Sequence, residues 1–196
     1  MSNETRLNQQ LTFLSEADKL KSVLRATRLC DGSRFENSGE HSWHIALYAL
    51  VLAEHAAQPV RIERVIQMLL IHDLVEIDAG DAPIHGDHDP VALQQKEQQA
   101  AKRIFGLLPA DQARAFRQLW EEFEAAETDD AIFAKAIDRV QPVISNLEND
   151  GHSWRAYQVR LEQVEARVGT KVARGAPLIW QLLQRRVQSW FQRGER

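Results

Sequence analysis

At 196 residues the chain can form one sizeable hydrophobic core or at most two small ones. Its formal charge of -4, from 24 basic and 28 acidic residues, argues against tight nucleic-acid binding through phosphate neutralisation. The single cysteine, Cys30, excludes an intrachain disulfide and therefore a disulfide-built secreted domain. The N-terminal stretch MSNETRLNQQ has neither a basic start nor an apolar run, and no apolar run is long enough to span a bilayer. The expectation is a soluble, cytoplasmic protein with neither a membrane nor a nucleic-acid partner.

Taken in order, the chain reads as almost all helix. Residues 1 to about 8 are polar and expected to be loose; Leu11, Leu14, Leu20 and Leu24 then predict a first helix, its apolar face widened by Phe13 and Val23. The turn-rich segment CDGSRFENSGE follows and carries Arg34, with Asn37, Ser38 and Gly39 leading into the next helix. In HSWHIALYALVLAEH, Ile45, Leu47, Leu50, Val51 and Leu52 recur at helical spacing. His41 therefore stands near the start of an apolar helix that runs to about Ala57. Beyond Pro59, the stretch RIERVIQMLLIHDLVEIDAGD predicts a still more apolar helix through Val65, Ile66, Met68, Leu69, Ile71 and Leu74, which carries His72 and Asp73 into the core.

After Asp81, APIHGDHDP is a loop by its prolines, glycine and clustered polar residues. A helix from about 90 to 108 turns Gln94, Lys96, Glu97 and Lys102 outward and Ala92, Leu93, Ile104, Leu107 and Leu108 inward. Pro109 opens the next, with Phe116, Leu119, Trp120 and Phe123 facing the core. In DDAIFAKAIDRVQPVISNLEND the buried face is Ile132, Phe133, Ala136, Ile137, Val140 and Ile144; Asp138 lies at its edge and Pro142 should kink it. Residues 154 to about 172 predict a less regular helix. Gly175 and Pro177 then introduce PLIWQLLQRRVQSWFQ, with Leu178, Ile179, Leu182, Leu183 and Trp190 on its inner face and Arg185 and Arg186 in solvent. No repeat or Gly/Ser linker divides the chain, so residues 1–196 are expected to form one all-α domain, its core at about 11–150 and a C-terminal helical extension at 152–192.

A buried, ionised aspartate needs a cation or several donors to offset its desolvation. His41, His72, Asp73 and Asp138 offer two imidazoles and two carboxylates from three helices, a donor set suited to one divalent ion: Mn, Co, Ni, Fe, Zn or Mg. On a helix residues 72 and 73 diverge by about 100°, so they share an ion only over the sector between them. Glu76 lies in that sector and is placed to carry a proton. By spacing alone, a polar network without metal accounts for these residues equally well.

The pattern H…HD…D, with HDLVEIDAGD at its centre, resembles the HD-domain superfamily of metal-dependent phosphohydrolases, and within it the small bacterial 5'-deoxynucleotidases and their eukaryotic relatives. The resemblance runs from about Leu14 to Leu147 and includes ENSGEHSWHIAL, LWEEFE and FAKAIDRV. It implies a helical HD bundle in which His41, His72, Asp73 and Asp138 hold the metal. Glu76 would transfer a proton, Asp81 would hold substrate or water, and Arg25 would meet the substrate phosphate. The implied reaction is hydrolysis of a phosphate monoester, a (deoxy)nucleoside 5'-monophosphate, to nucleoside and orthophosphate by metal-activated water in a homodimer. Arg34 and Lys96 are weaker candidates for offsetting phosphate charge, since a surface salt bridge explains each equally well. Phosphodiester or pyrophosphate hydrolysis, or a non-catalytic, metal-stapled binding module, are the alternatives. Two features depart from the bacterial enzymes: Ala26 follows Arg25 where they have tryptophan, and His85, Asp87, His88 and Asp89, with His44, offer donors for a second ion although one is expected.

Overall fold

The computed structural model describes residues 2–194. The expected loose start is instead helical: α1 spans Asn3–Ala17, and Ser2 caps it by accepting the Thr5 amide at 3.2 Å. The inner face of α1 is narrow. Phe13 is buried edge-on to Phe116 at 5.6 Å, while Leu11 and Leu14 are exposed. A 3-10 turn at Asp18–Ser22 buries Leu20, and the chain then leaves the helical path expected for Val23 and Leu24.

Residues Leu24–Arg28 form β1, which pairs antiparallel with β2 (Phe35–Asn37), a small sheet in an otherwise helical molecule. In a strand, alternate side chains share a face. Arg25 and Thr27 turn inward together while Leu24 is left in solvent. Helix α2 (Ser38–Leu52) starts at a reciprocal cap, in which Asn37 Oδ1 accepts the Glu40 amide at 2.9 Å and Glu40 Oε1 accepts the Asn37 amide at 2.8 Å. It buries Ile45 and Ala49, and Leu47, Leu50 and Val51 face outward. It ends short of Ala57 and passes into a 3-10 turn at Ala53–His55.

Helix α3 (Ile62–Ile71) stops one residue before the ligand candidates. His72–Val75 form a 3-10 turn, and α4 (Glu76–Ala79) closes at Gly80, whose φ of 78° a side chain would strain. Then come α5 (Pro90–Phe105, capped by Asp89), α6 (Ala110–Ala125) and α7 (Asp129–Glu148, capped by Thr128). Helix α7 continues through Pro142, which has no amide to offer the carbonyl of Asp138 four residues back. The stretch predicted as one helix over 154–172 is broken into α8 (His152–Ala156), α9 (Leu161–Val164), a π turn at Glu165–Gly169 and α10 (Thr170–Gly175). Gln158, in the left-handed region at φ 49°, ends the first piece. The last helix, α11, spans Pro177–Gly194.

Two apolar clusters meet on α7. One gathers Val65, Met68, Leu69, Ile104, Trp120, Phe123 and Ile137; the other gathers Val140, Trp154, Val172, Trp180, Val187 and Trp190. The buried face of α11 is therefore Trp180, Leu183, Val187 and Trp190, and Leu178 and Leu182, expected inside, are exposed. Close packing allows this: a Cβ on Gly175 would fall 2.5 Å from the Ile132 carbonyl oxygen, so α10 approaches α7 with no side chain between them. Asp138 and Gln141 lie where the two clusters join. Among the described residues, no helix is long and apolar enough to cross a membrane.

Candidate active site

The 3-10 turn sets the local geometry of His72 and Asp73. With three residues per turn, side chains three apart share a face, and the Asp73 and Glu76 carboxylates are close enough to feel each other's charge. Arg25 reaches both from β1: Nη1 donates to Asp73 Oδ2 at 2.9 Å and lies 4.0 Å from Glu76 Oε1 and 3.9 Å from Asp81 Oδ1. Asp81, just after Gly80, accepts the Ala26 amide at 3.3 Å, which ties the turn to the sheet.

The two imidazoles are oriented from behind. His72 Nδ1 donates to the Leu69 carbonyl at 2.8 Å, so Nε2 points at the carboxylates. His41 Nδ1 faces Gln141 Oε1 at 3.1 Å; because the Gln141 amide donates to Glu36 at 2.9 Å and Ser145 at 3.1 Å, its oxygen must accept from His41. That leaves His41 Nε2 toward Asp138 Oδ1, 3.1 Å away. Asp138 Oδ1 is also 3.7 Å from His72 Nε2. One donor atom each from His41, His72 and Asp73 lie within 4.8 Å of one another, and all three residues are buried. His72 Nε2 is itself buried without a hydrogen bond, since its 2.8 Å approach to Asp73 Oδ1 lacks the direction of one. A nitrogen lone pair and two carboxylates converging on a buried point fit a divalent cation.

Electrostatics point the same way. Burial opposes charge on His72, but Asp73 and Asp138 outweigh it and push the imidazole up to about 10. Burial likewise opposes charge on Asp73, and the His72 and Arg25 charges overcome it and hold the carboxyl below its ordinary range. Asp138 is also depressed, with Arg139 and the two histidines outweighing its burial. Glu76 goes the other way: burial, then the neighbouring Asp73 and Asp81 charges, raise it well above an ordinary glutamate. Asp81 is raised by burial and by Asp73.

These groups face a cavity of about 220 Å³ lined by Arg25, Asp73, Glu76, Asp81, Asp138 and Arg139, with Trp154 and Tyr157 also in its lining. Arg34 is not brought to it. Its side chain is 55% exposed and grips Glu40 through both Nη atoms at 2.6 and 2.8 Å, drawn there by the carboxylate that caps α2. Lys96 is exposed on α5 and does not line the cavity. Of the histidine-rich loop only His85 reaches the cavity; His88 bonds the Pro83 carbonyl at 2.8 Å, Asp89 caps α5, and His44 packs between Trp43 and Tyr48. Glu36 and Gln141 are not singled out by the sequence, and Ser38 is, but only as part of the turn before α2. Gln141 carried a signal, standing three residues after Asp138 on the same helical face.

The sequence profile of the HD domain family matches residues 17–180. The chain belongs to the HD-domain family. Among HD-domain relatives, human 5'-deoxynucleotidase HDDC2 is 27% identical over 139 residues, 70% of this chain and 67% of that one. The Photorhabdus temperata 5'-deoxynucleotidase yfbR is 28% identical over 164 residues, 79% of this chain and 83% of that one. A crystal structure of a predicted metal-dependent phosphohydrolase from Magnetospirillum magnetotacticum MS-1 superposes with a TM-score of 0.90 at 46% identity, covering 96% of this chain and 97% of that one. The HD signature of this chain is the His72–Asp73 pair, held in the 3-10 turn rather than in the helix before it.

Proposed function

We propose that the protein is a metal-dependent phosphomonoesterase that hydrolyses (deoxy)nucleoside 5'-monophosphates to nucleoside and orthophosphate. The observation that carries this reading is the convergence of His41, His72, Asp73 and Asp138 beside a cavity that also receives Arg25 and Glu76. The names of the human and Photorhabdus relatives supply the substrate class. A divalent cation held by the four residues supplies Lewis acidity toward a phosphoryl oxygen and toward water.

The remaining work belongs to side chains. Arg25 keeps Nη1 on Asp73, while its Nη2 makes no hydrogen bond among the described residues and is available to a phosphate oxygen. Glu76, steadied by the Ser38 hydroxyl, which donates to Oε2 at 2.6 Å, takes a proton from the attacking water and returns one to the leaving nucleoside oxygen. Asp81, fixed by the Ala26 amide, orients the sugar or the water.

The test is orthophosphate release from deoxynucleoside, ribonucleoside and non-nucleotide monophosphates, with Mn, Co, Ni, Zn and Mg supplied separately. Turnover of nucleoside monophosphates is expected with at least one metal. Silence toward every monophosphate, with cleavage of a cyclic diester or a pyrophosphate instead, would sink the reading. The proposal includes a homodimer. Exposed Leu7, Leu11 and Leu14 form one apolar stripe along α1, and Leu178 and Leu182 another on α11. Sedimentation should give a dimer, and a monomer at every concentration would remove that part.

A further inference from the structure

We propose that Arg139 and His85 form a phosphate-binding wall of the cavity beside Asp138, a role that rests on the phosphomonoesterase reading and deepens it. Among the described residues, Arg25, Lys135 and Arg139 line the cavity besides its histidines, and Arg25 and Lys135 each already hold a carboxylate. Arg25 is bound to Asp73 at 2.9 Å, and Lys135 is bound to Glu124 at 3.0 Å with its ammonium over the Phe123 ring. Arg139 differs. Its Nε lies 3.5 Å from Asp138 Oδ2 but is buried without a hydrogen-bond partner, and its guanidinium makes no hydrogen bond among the described residues. The side chain is 26% exposed and lines the cavity.

His85 supplies a second uncommitted polar group. It lines the same cavity from the loop after Asp81, and its Nδ1 is buried without a partner. Arg167 anchors that loop by donating from Nη1 to the Ile84 carbonyl at 2.9 Å. Burial, with the charges of Arg167 and Arg139, holds the His85 imidazole down to about 4, so at neutral pH it offers an N–H without opposing Arg139. A buried charged donor without an acceptor is costly, and Arg139 with a neutral imidazole on the same cavity wall calls for an anion. A phosphate dianion accepts from both while its remaining oxygens face the metal-ligand cluster. The wall takes the place that Arg34 leaves open.

The experiment is equilibrium dialysis of inorganic phosphate against the Mn-loaded protein, with Mn content measured alongside, for wild type, Arg139→Gln, Arg139→Lys and His85→Ala. Loss of one charge-assisted hydrogen-bond donor should weaken phosphate binding roughly tenfold or more in Arg139→Gln and less in Arg139→Lys and His85→Ala, with Mn content unchanged. Wild-type affinity in Arg139→Gln overturns the proposal. So does joint loss of Mn and phosphate, which would make Arg139 a support for Asp138, and so does a wild-type protein that binds no phosphate. Phosphate binding that behaves as expected in a protein inert toward monophosphates would sink the phosphomonoesterase reading and leave the wall standing.

Discussion

Asp73→Ala is expected to remove bound metal and orthophosphate release together, with activity falling by at least about a thousandfold. Asp73 does two jobs from one buried position. Oδ1 lies 2.8 Å from His72 Nε2 on the metal-facing side, and Oδ2 accepts from Arg25 at 2.9 Å. Alanine leaves the Arg25 guanidinium with longer approaches, 3.5 Å to Glu36, 3.9 Å to Asp81 and 4.0 Å to Glu76, and breaking a buried pair in this way costs about 3–5 kcal/mol of stability. Asp73→Asn keeps the volume and should lose metal with a smaller loss of stability. Metal analysis, turnover and thermal unfolding of the two variants separate these effects. An Asp73→Ala protein that keeps its metal and its rate would remove the cluster as the active centre.

The pH dependence of the metal-free protein follows from the same contacts. Asp73 is depressed in the fold, so its contribution is present above an ordinary carboxylate value near 4 and is lost as the pH falls through its folded value. His72 is raised, so its contribution is complete below an ordinary imidazole value near 6.5 and is lost as the pH rises toward about 10. The pair is therefore fully stabilising only between those two ordinary values, and Asp73→Ala should flatten the stability profile on both sides.

The metal-facing residues could be read from the sequence because each carried its own local signal. His72 and Asp73 interrupt an apolar run, Asp138 borders an apolar stripe, and His41 opens a helix whose cap, Asn37 to Glu40, is written in four consecutive residues. What orients them could not be read the same way. Glu36 and Gln141 meet across 105 residues, and nothing local to either announces the contact. The sheet was hidden because Leu20, Val23 and Leu24 imitate helical spacing, whereas tertiary packing needs only Leu20 inside and places Arg25 and Thr27 inward on a strand. Arg34 has the right chemistry for a phosphate and the wrong neighbour, since Glu40 claims it. On α11, Leu183 and Trp190 are buried as their spacing suggests, but Trp180 and Val187 complete that face in place of Leu178 and Leu182, the Trp180 ring carrying a large apolar surface into the second cluster.

Glu76→Gln should separate catalysis from metal binding, lowering kcat by roughly a hundred- to ten-thousandfold while metal content stays at the wild-type level. Glu76 is not among the three mutually close ligand atoms, and glutamine keeps an oxygen to accept from Ser38. What glutamine cannot do is exchange a proton. The carboxyl is suited to that exchange because burial, Asp73 and Asp81 raise its pKa, so that it is protonated more readily than a surface glutamate. A raised carboxyl stabilises the fold fully below its ordinary value near 4.5, and this is lost as the pH rises through the folded value, so the ionised form of Glu76 is the one the metal-free fold opposes, through burial and the Asp73 and Asp81 charges. Glutamine relieves that repulsion, and the variant should melt no lower than wild type. A stable, metal-replete and inactive Glu76→Gln protein thus has one explanation, the missing proton carrier. Wild-type turnover would transfer that task to Asp81, and loss of the metal would make Glu76 a ligand.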